Sequence, residues 1–172
     1  MELVELGELT DRQWSELAAG ERHPWGGEAE ELTWRDKDRL LGLQAAGGRL
    51  AAVAGTVPID VVVDGSETFA VVGLGGVFVT PSERGGGLVG RLVEPLLQQA
   101  SCDAGVERAM LFCRAQLTGL YAKLAFSEIQ MPVWAEQPGG RRIEMPMRAM
   151  WRPLRDGATW PAGRVEILGL PF

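Results

Sequence analysis

The most constraining stretch of the sequence runs from Phe69 to Ala100. It begins with an apolar, β-branched run (FAVVGLGGVFV), passes through a glycine-rich turn (PSERGGG), and continues as LVGRLVEPLLQQA. The first part reads as a buried strand. The last part places Leu88, Leu92, Val93, Leu96, Leu97 and Ala100 at helical spacing, with Pro95 inside it as a site for a local kink. A strand that turns on glycines straight into a helix commits the chain to a fold with helices packed against a sheet.

The remaining segments fit around that unit. Glu2 to Leu6 reads as a short first strand, and Thr10 with Asp11 caps a helix over DRQWSELAA. Residues 20–27 break that helix, and Glu28 to Trp34 reads as a second, acidic helix. RLLGLQA, GRLAAVAGTV and IDVVV then read, with the run ending at Thr80, as consecutive antiparallel strands divided by GG and DG turns. Residues 109–113 form a buried strand and Gln116 to Leu124 a helix. Ile129–Trp134 and Ile143–Trp151 are strands joined by a turn at Gly139-Gly140. The apolar tail WPAGRVEILGLPF is expected to pack on the body. The expected architecture is one α/β domain over residues 1–172 around a single mixed sheet.

Composition narrows the chemistry. A length of 172 residues with 46% hydrophobic and 23% charged residues is ordinary for a folded domain that needs no staple. The net charge of −6 and the absence of clustered arginines argue against nucleic acid as a partner. No GK[ST] occurs, which removes the Walker A loop. His23 is the only histidine and the two cysteines are far apart, so no metal site is expected. The acidic N-terminal stretch lacks a signal-peptide core and no apolar run is long enough to span a bilayer. The expectation is a cytoplasmic protein with no membrane partner.

Val77, Phe78 and Val79 lead into Arg84, Gly85, Gly86, Gly87, Leu88, Val89 and Gly90. The first turn of a helix has unpaired backbone N–H groups and a dipole that favours anions. Glycines let a phosphate approach that backbone, and Arg84 adds a cationic fork, so the segment reads as a pyrophosphate cradle. A Rossmann fingerprint on Gly73-Leu74-Gly75-Gly76 fails, because the chain stays extended through Val79 instead of opening a helix. Gly73, Gly75 and Gly76 inside the strand point to a bulge or a close approach by another segment. A strand broken in this way exposes peptide groups to which an amide-bearing ligand such as pantetheine can pair.

Arg84-Gly85-Gly86-Gly87-Leu88-Val89 resembles the acetyl-CoA signature of the GCN5-related N-acetyltransferase (GNAT) family: Arg or Gln, two residues, Gly, one residue, Gly or Ala. Val89 replaces the small last residue, and Gly90 follows at once. Leu120-Tyr121-Ala122-Lys123-Leu124-Ala125-Phe126 resembles the family's Leu-Tyr-x-x-x-Gly-Phe, with Ala125 in the glycine position. The two motifs fall in the family's order, with one strand and the start of a helix between them. A narrower likeness is to aminoglycoside N-acetyltransferases and related small-molecule enzymes. The resemblance implies a mixed, mostly antiparallel sheet of six to seven strands flanked by helices. That sheet would be splayed between the strand at 69–79 and the strand at 109–113.

The implied reaction is transfer of an acetyl group from acetyl-CoA, as cosubstrate, to a primary amine. Tyr121 stands where the family places the group that meets the departing thiolate. With reference pKa values near 10 for a phenol and 8.5 for a thiol, complete transfer is uphill by roughly 2 kcal/mol, so a hydrogen bond matters as much as a proton. Many relatives place a glutamate base on the strand before the loop, and here that position reads Gly75 or Gly76. The alternatives are Glu28, Glu30, Glu31, His23 or the α-carboxyl of Phe172, since some relatives bring a chain-end carboxylate into the site. An α-carboxyl has a reference pKa of about 3.5 and is a weak base unless desolvated.

The acceptor side is expected near His23, Trp25, Glu28 and Glu31. The acidic residues there would suit an aminoglycoside- or polyamine-like acceptor. Acetylation of a protein N-terminus or lysine is one alternative. A catalytically silent CoA-binding regulatory module is another. Dimers are common in the family, and the apolar Met145–Trp151 strand reads equally as a homodimer contact or as core.

Overall fold

A computed structural model describes residues 1–21, 27–65, 68–103 and 105–172, and of Glu28 the backbone only. In chain order the strands are β1 (Glu2–Leu6), β2 (Arg39–Gln44), β3 (Leu50–Val63), β4 (Phe69–Val79) and β5 (Arg108–Cys113). They continue with β6 (Ser127–Glu128), β7 (Val133–Gln137), β8 (Arg141–Glu144), β9 (Arg148–Pro153) and β10 (Val165–Ile167). The helices are α1 (Asp11–Ala18), α2 (Gly27–Glu30), α3 (Leu88–Ala100) and α4 (Thr118–Ala122). All ten strands join one sheet, ordered β6-β9-β5-β4-β3-β10-β7-β8, with β2 also on β3 and β1 on β2. Only β4–β5 and β10–β7 pair in parallel.

The sheet is larger than the six to seven strands expected. The expected strand Ile143–Trp151 is divided, with Pro146 between β8 and β9, and the expected strand Ile129–Trp134 begins only at Val133, while Ser127–Glu128 adds a short strand before it. The tail adds a strand of its own. Val165–Ile167 slots between β3 and β7, so the tail is woven into the sheet and carries Phe172 back to its centre. Pro58 was expected to divide two strands and instead lies within one. β2 pairs with β3 only as far as Thr56 and β10 begins at Val61, so the ring falls where β3 has a neighbour on one side only.

α1 begins at a capping box, with the Thr10 side chain accepting from the Gln13 N–H and Gln13 accepting from the Thr10 N–H. α3 lays Leu88, Leu92, Val93, Leu96 and Leu97 on the face of β2, β3 and β4, and Tyr121 joins that core. On the opposite face Val57, Val61, Met110, Val133, Ile167 and Phe172 form a second core. The second helix stops at Glu30 instead of reaching Trp34, whose indole N–H donates to the Ala29 carbonyl at 2.8 Å. Residues 31–38 instead form an extended strap. The Arg35 N–H donates to the Pro171 carbonyl at 2.6 Å and the Asp38 N–H to Thr56 at 3.0 Å. The expected helix at 116–124 is a 3-10 turn, Ala115–Leu117, followed by the short α4. The expected turn at Gly139-Gly140 is present with φ +78° and +74°. The Met145–Trp151 segment is core: β9 is paired on both edges, by β5 and β6. No helix among the described residues is long and apolar enough to cross a membrane.

Candidate active site

β4 and β5 run parallel only through Val72–Leu74 against Ala109–Leu111. Beyond that, β4 stays paired with β3 and β5 with β9, so the two strands part and leave a V-shaped opening. The register of β4 against β3 shifts between Gly75 and Phe78, where Gly76 has φ +61°, a bulge that turns the strand away. The opening is the mouth of a cleft of about 980 Å³. Its walls include Gly75–Val79 on one side, Cys113, Arg114 and Tyr121 on another, and Gly85–Gly90 at the far end.

Among the described residues, the backbone N–H groups from Gly85 through Gly90 find no acceptor. Gly87, the residue before α3, has φ +72°, and a Cβ there or at Gly85 would meet nothing within 4 Å. The loop is therefore uncrowded at Gly85 and Gly87 and its N–H groups are free among the described residues, as a diphosphate cradle needs. Arg84 is held differently from expectation. Its guanidinium pairs with the Glu21 carboxylate and donates from Nε to the Val79 carbonyl at 3.1 Å. It also stacks 5.6 Å from the Phe78 ring centroid. Its charge is thus paired within the protein.

Tyr121 is 5% exposed, packs edge-on against Phe126, and lines the cleft. Its hydroxyl makes no hydrogen bond within the described protein. Burial, with Cys113 adding to it, pushes the phenol well above its ordinary value, so it stays protonated at any working pH. Burial likewise pushes the neighbouring Cys113 thiol up to about 11, with Glu128 contributing.

Gly75 is where the sheet makes room for two remote groups. A Cβ on Gly75 would lie 2.8 Å from the carboxyl carbon of Phe172 and 2.7 Å from Cε of Lys37. A Cβ on Gly73 would be 2.5 Å from the Phe172 ring, which also packs 5.3 Å from the Phe112 ring. The Phe172 carboxyl group therefore reaches the place that a side chain on residue 75 would fill. Lys37 runs over Gly55 and Gly75 and donates from Nζ to the Arg35 carbonyl at 2.9 Å. Burial lowers its ammonium to about 8, with Asp36 pulling it back up and Arg35 lowering it further. An unfolded lysine holds its proton to about pH 10.4. Between roughly pH 8 and that value the unfolded chain binds the extra proton, so the folded state gains stability as pH rises. Lys37→Met should flatten that gain, read as the change in urea midpoint between pH 7.5 and 10.

Of the other expected acceptor residues, Glu31 is exposed after α2 and is not among the cleft residues. His23, Trp25 and the side chain of Glu28 lie outside the described residues. Sequence reasoning missed Lys37 and Arg114. Lys37 sits in an alternating charge run, RDKDR, that reads as a solvated face.

The profile of the acetyltransferase (GNAT) domain matches residues 10–128. Solved structures share the fold. The GNAT N-acetyltransferase YhbS from Escherichia coli, in complex with CoA, is 21% identical over 78% of this chain and 73% of its own, with a TM-score of 0.53. The Escherichia coli ribosomal-protein-S18-alanine N-acetyltransferase is 20% identical over 92% and 100%, with a TM-score of 0.56. A putative acyl-CoA N-acyltransferase from Klebsiella pneumoniae is 16% identical over 90% and 97%, with a TM-score of 0.60. No curated protein matches the chain. The open cradle, the splayed strands and the domain profile agree: the chain belongs to the GNAT acetyltransferase family. It is an acyltransferase that draws its acetyl group from acetyl-CoA.

Proposed function

We propose that the protein acetylates a primary amine of a small molecule, with the carboxylate of Phe172 as general base and Tyr121 as the hydrogen-bond donor to the departing thiolate. The observation that carries this reading is the convergence of the Phe172 carboxyl group on Gly75, at the mouth of the splayed strands. The Gly85–Gly90 amides and the residues Val77, Phe78, Val79, Leu88 and Val89 hold the cosubstrate. The diphosphate lies on the cradle and the pantetheine amides along the free edge of β4. The amine must be neutral to attack, and a carboxylate in a partly enclosed site accepts its proton. Peptide N–H groups at the bulge meet the carbonyl oxygen as it gains charge. The thiolate then leaves toward the Tyr121 hydroxyl.

Among the described residues, the acidic run that suggested an aminoglycoside- or polyamine-like acceptor contributes only Asp36 to the cleft wall. The proposed acceptor is therefore left as a small-molecule amine, whose class the second cavity bears on below. Calorimetry with CoA and thiol release from acetyl-CoA with a panel of amines test the proposal. Gly87→Val forces a β-branched residue into a left-handed conformation within the cradle and should weaken CoA at least tenfold. Undiminished CoA affinity in that variant removes the cradle. CoA binding with no turnover on any amine replaces the enzyme with a silent binding module.

A further inference from the structure

A second cavity of about 770 Å³ opens beside the cleft, between the β5–α4 turn and the residues around β7 and β9. Ala29, Arg114 and Met147 line both spaces, so the two communicate at that point. Arg114 follows directly on the last residue of β5 and is half-buried. Its guanidinium has no ion pair and no hydrogen bond among the described residues. Most other arginines of the sheet behave differently; the exposed Arg141 on β8 is the exception among the described residues. Arg39, Arg108, Arg142, Arg148 and Arg152 each face a carboxylate. A planar cation that is partly desolvated and unmatched among the described residues, where two cavities adjoin, is suited to a carboxylate.

The walls beyond Arg114 are mixed, with Gln116, Gln130, Glu144 and Arg148 beside apolar side chains. Ile129, Val133 and Met145 are buried there, with Met147 beside them. Among the described residues, the charged groups that share this cavity are Glu144, which is exposed, and Arg148, which pairs with Glu128 at 3.3 Å. Neither neutralises Arg114.

We propose that the acceptor is an α-amino acid, its carboxylate held by Arg114 and its side chain seated in the second cavity. This rests on the acetyl-transfer reading above. In such a molecule the amine and the carboxylate share one carbon. A carboxylate anchored at the junction therefore holds the amine on the cleft side, while the side chain extends the other way. The same arrangement disfavours polyamines, whose every charged group repeats the charge of Arg114.

The test compares L-phenylalanine and L-methionine with L-phenylalaninamide, phenethylamine, spermidine and kanamycin in thiol release from acetyl-CoA. The acids should exceed the amide and the simple amine at least tenfold in kcat/KM. Arg114→Gln should erase that preference by raising KM while kcat stays within about threefold, and Arg114→Lys should retain part of it. Unchanged CoA affinity in both variants shows that they are folded. Turnover of amides or polyamines at equal or higher efficiency overturns the inference and leaves acetyl transfer standing. A parallel titration of L-phenylalanine and its amide into the CoA-loaded protein separates the two claims. Acid-selective binding that Arg114→Gln abolishes, with no turnover of any amine, upholds the subsite and sinks the acetyltransferase reading. No binding of L-phenylalanine overturns the subsite.

Discussion

Extending the chain by Gly-Ser after Phe172 should lower kcat at least a hundredfold while CoA affinity stays within about twofold. The extension keeps the Phe172 ring between Gly73 and Phe112 but turns its carboxylate into a neutral amide. A general base is worth roughly 10²–10⁴ in rate, so the loss is attributable to that one group. Removal of Leu170–Phe172 tests the same claim less cleanly. Phe172 is 3% exposed in the second core, and emptying such a site costs about 3–5 kcal/mol by analogy with Phe→Ala changes. Full turnover in either protein, still folded by circular dichroism, would remove the carboxylate from the mechanism. The Arg35–Pro171 hydrogen bond should survive the extension, because it uses main-chain atoms upstream of the added residues.

Tyr121→Phe should lower kcat at least tenfold and leave the dissociation constant for CoA nearly unchanged. The ring stays to pack on Phe126, so only the hydroxyl is lost. Because burial raises the phenol's pKa, outright proton donation to a thiolate is harder than the reference values suggest, and a hydrogen bond to the developing charge is the larger contribution. The rate profile of the parent protein should accordingly show no phenol ionisation up to pH 10. Unchanged turnover in the phenylalanine variant would falsify the assignment.

Local pattern carried the cofactor half of the site. The turn from Arg84 to Gly90, the face of α3 and the strand Arg108–Cys113 each follow from a few adjacent residues, and the structure places them as the pattern predicts. The tyrosine motif did the same for Tyr121, although the long helix expected there is one 3-10 turn and a short helix. What depended on contacts between distant segments was less legible. The apolar tail was expected to pack, but its pairing with β3 and β7 rests on registers that no local signal encodes. The helix expected over Glu28 to Trp34 ends early because the segment after it is held extended by Pro171 and Thr56, which are far away in the chain. Arg84 read as a phosphate fork because nothing in its own neighbourhood announces Glu21. Arg114 reads like any arginine after a strand. Only the cavity and the missing partner set it apart.

The bare backbone at Gly75 has a consequence for substitution. Relatives of this family commonly carry a glutamate on this strand, which invites the simple experiment of restoring one. Here the first carbon of that side chain would overlap the main chain of Phe172 and the stem of Lys37. A side chain on residue 75 and Phe172 in its present place therefore exclude each other. A lineage could pass between them only by changing the strand and the distant segment together.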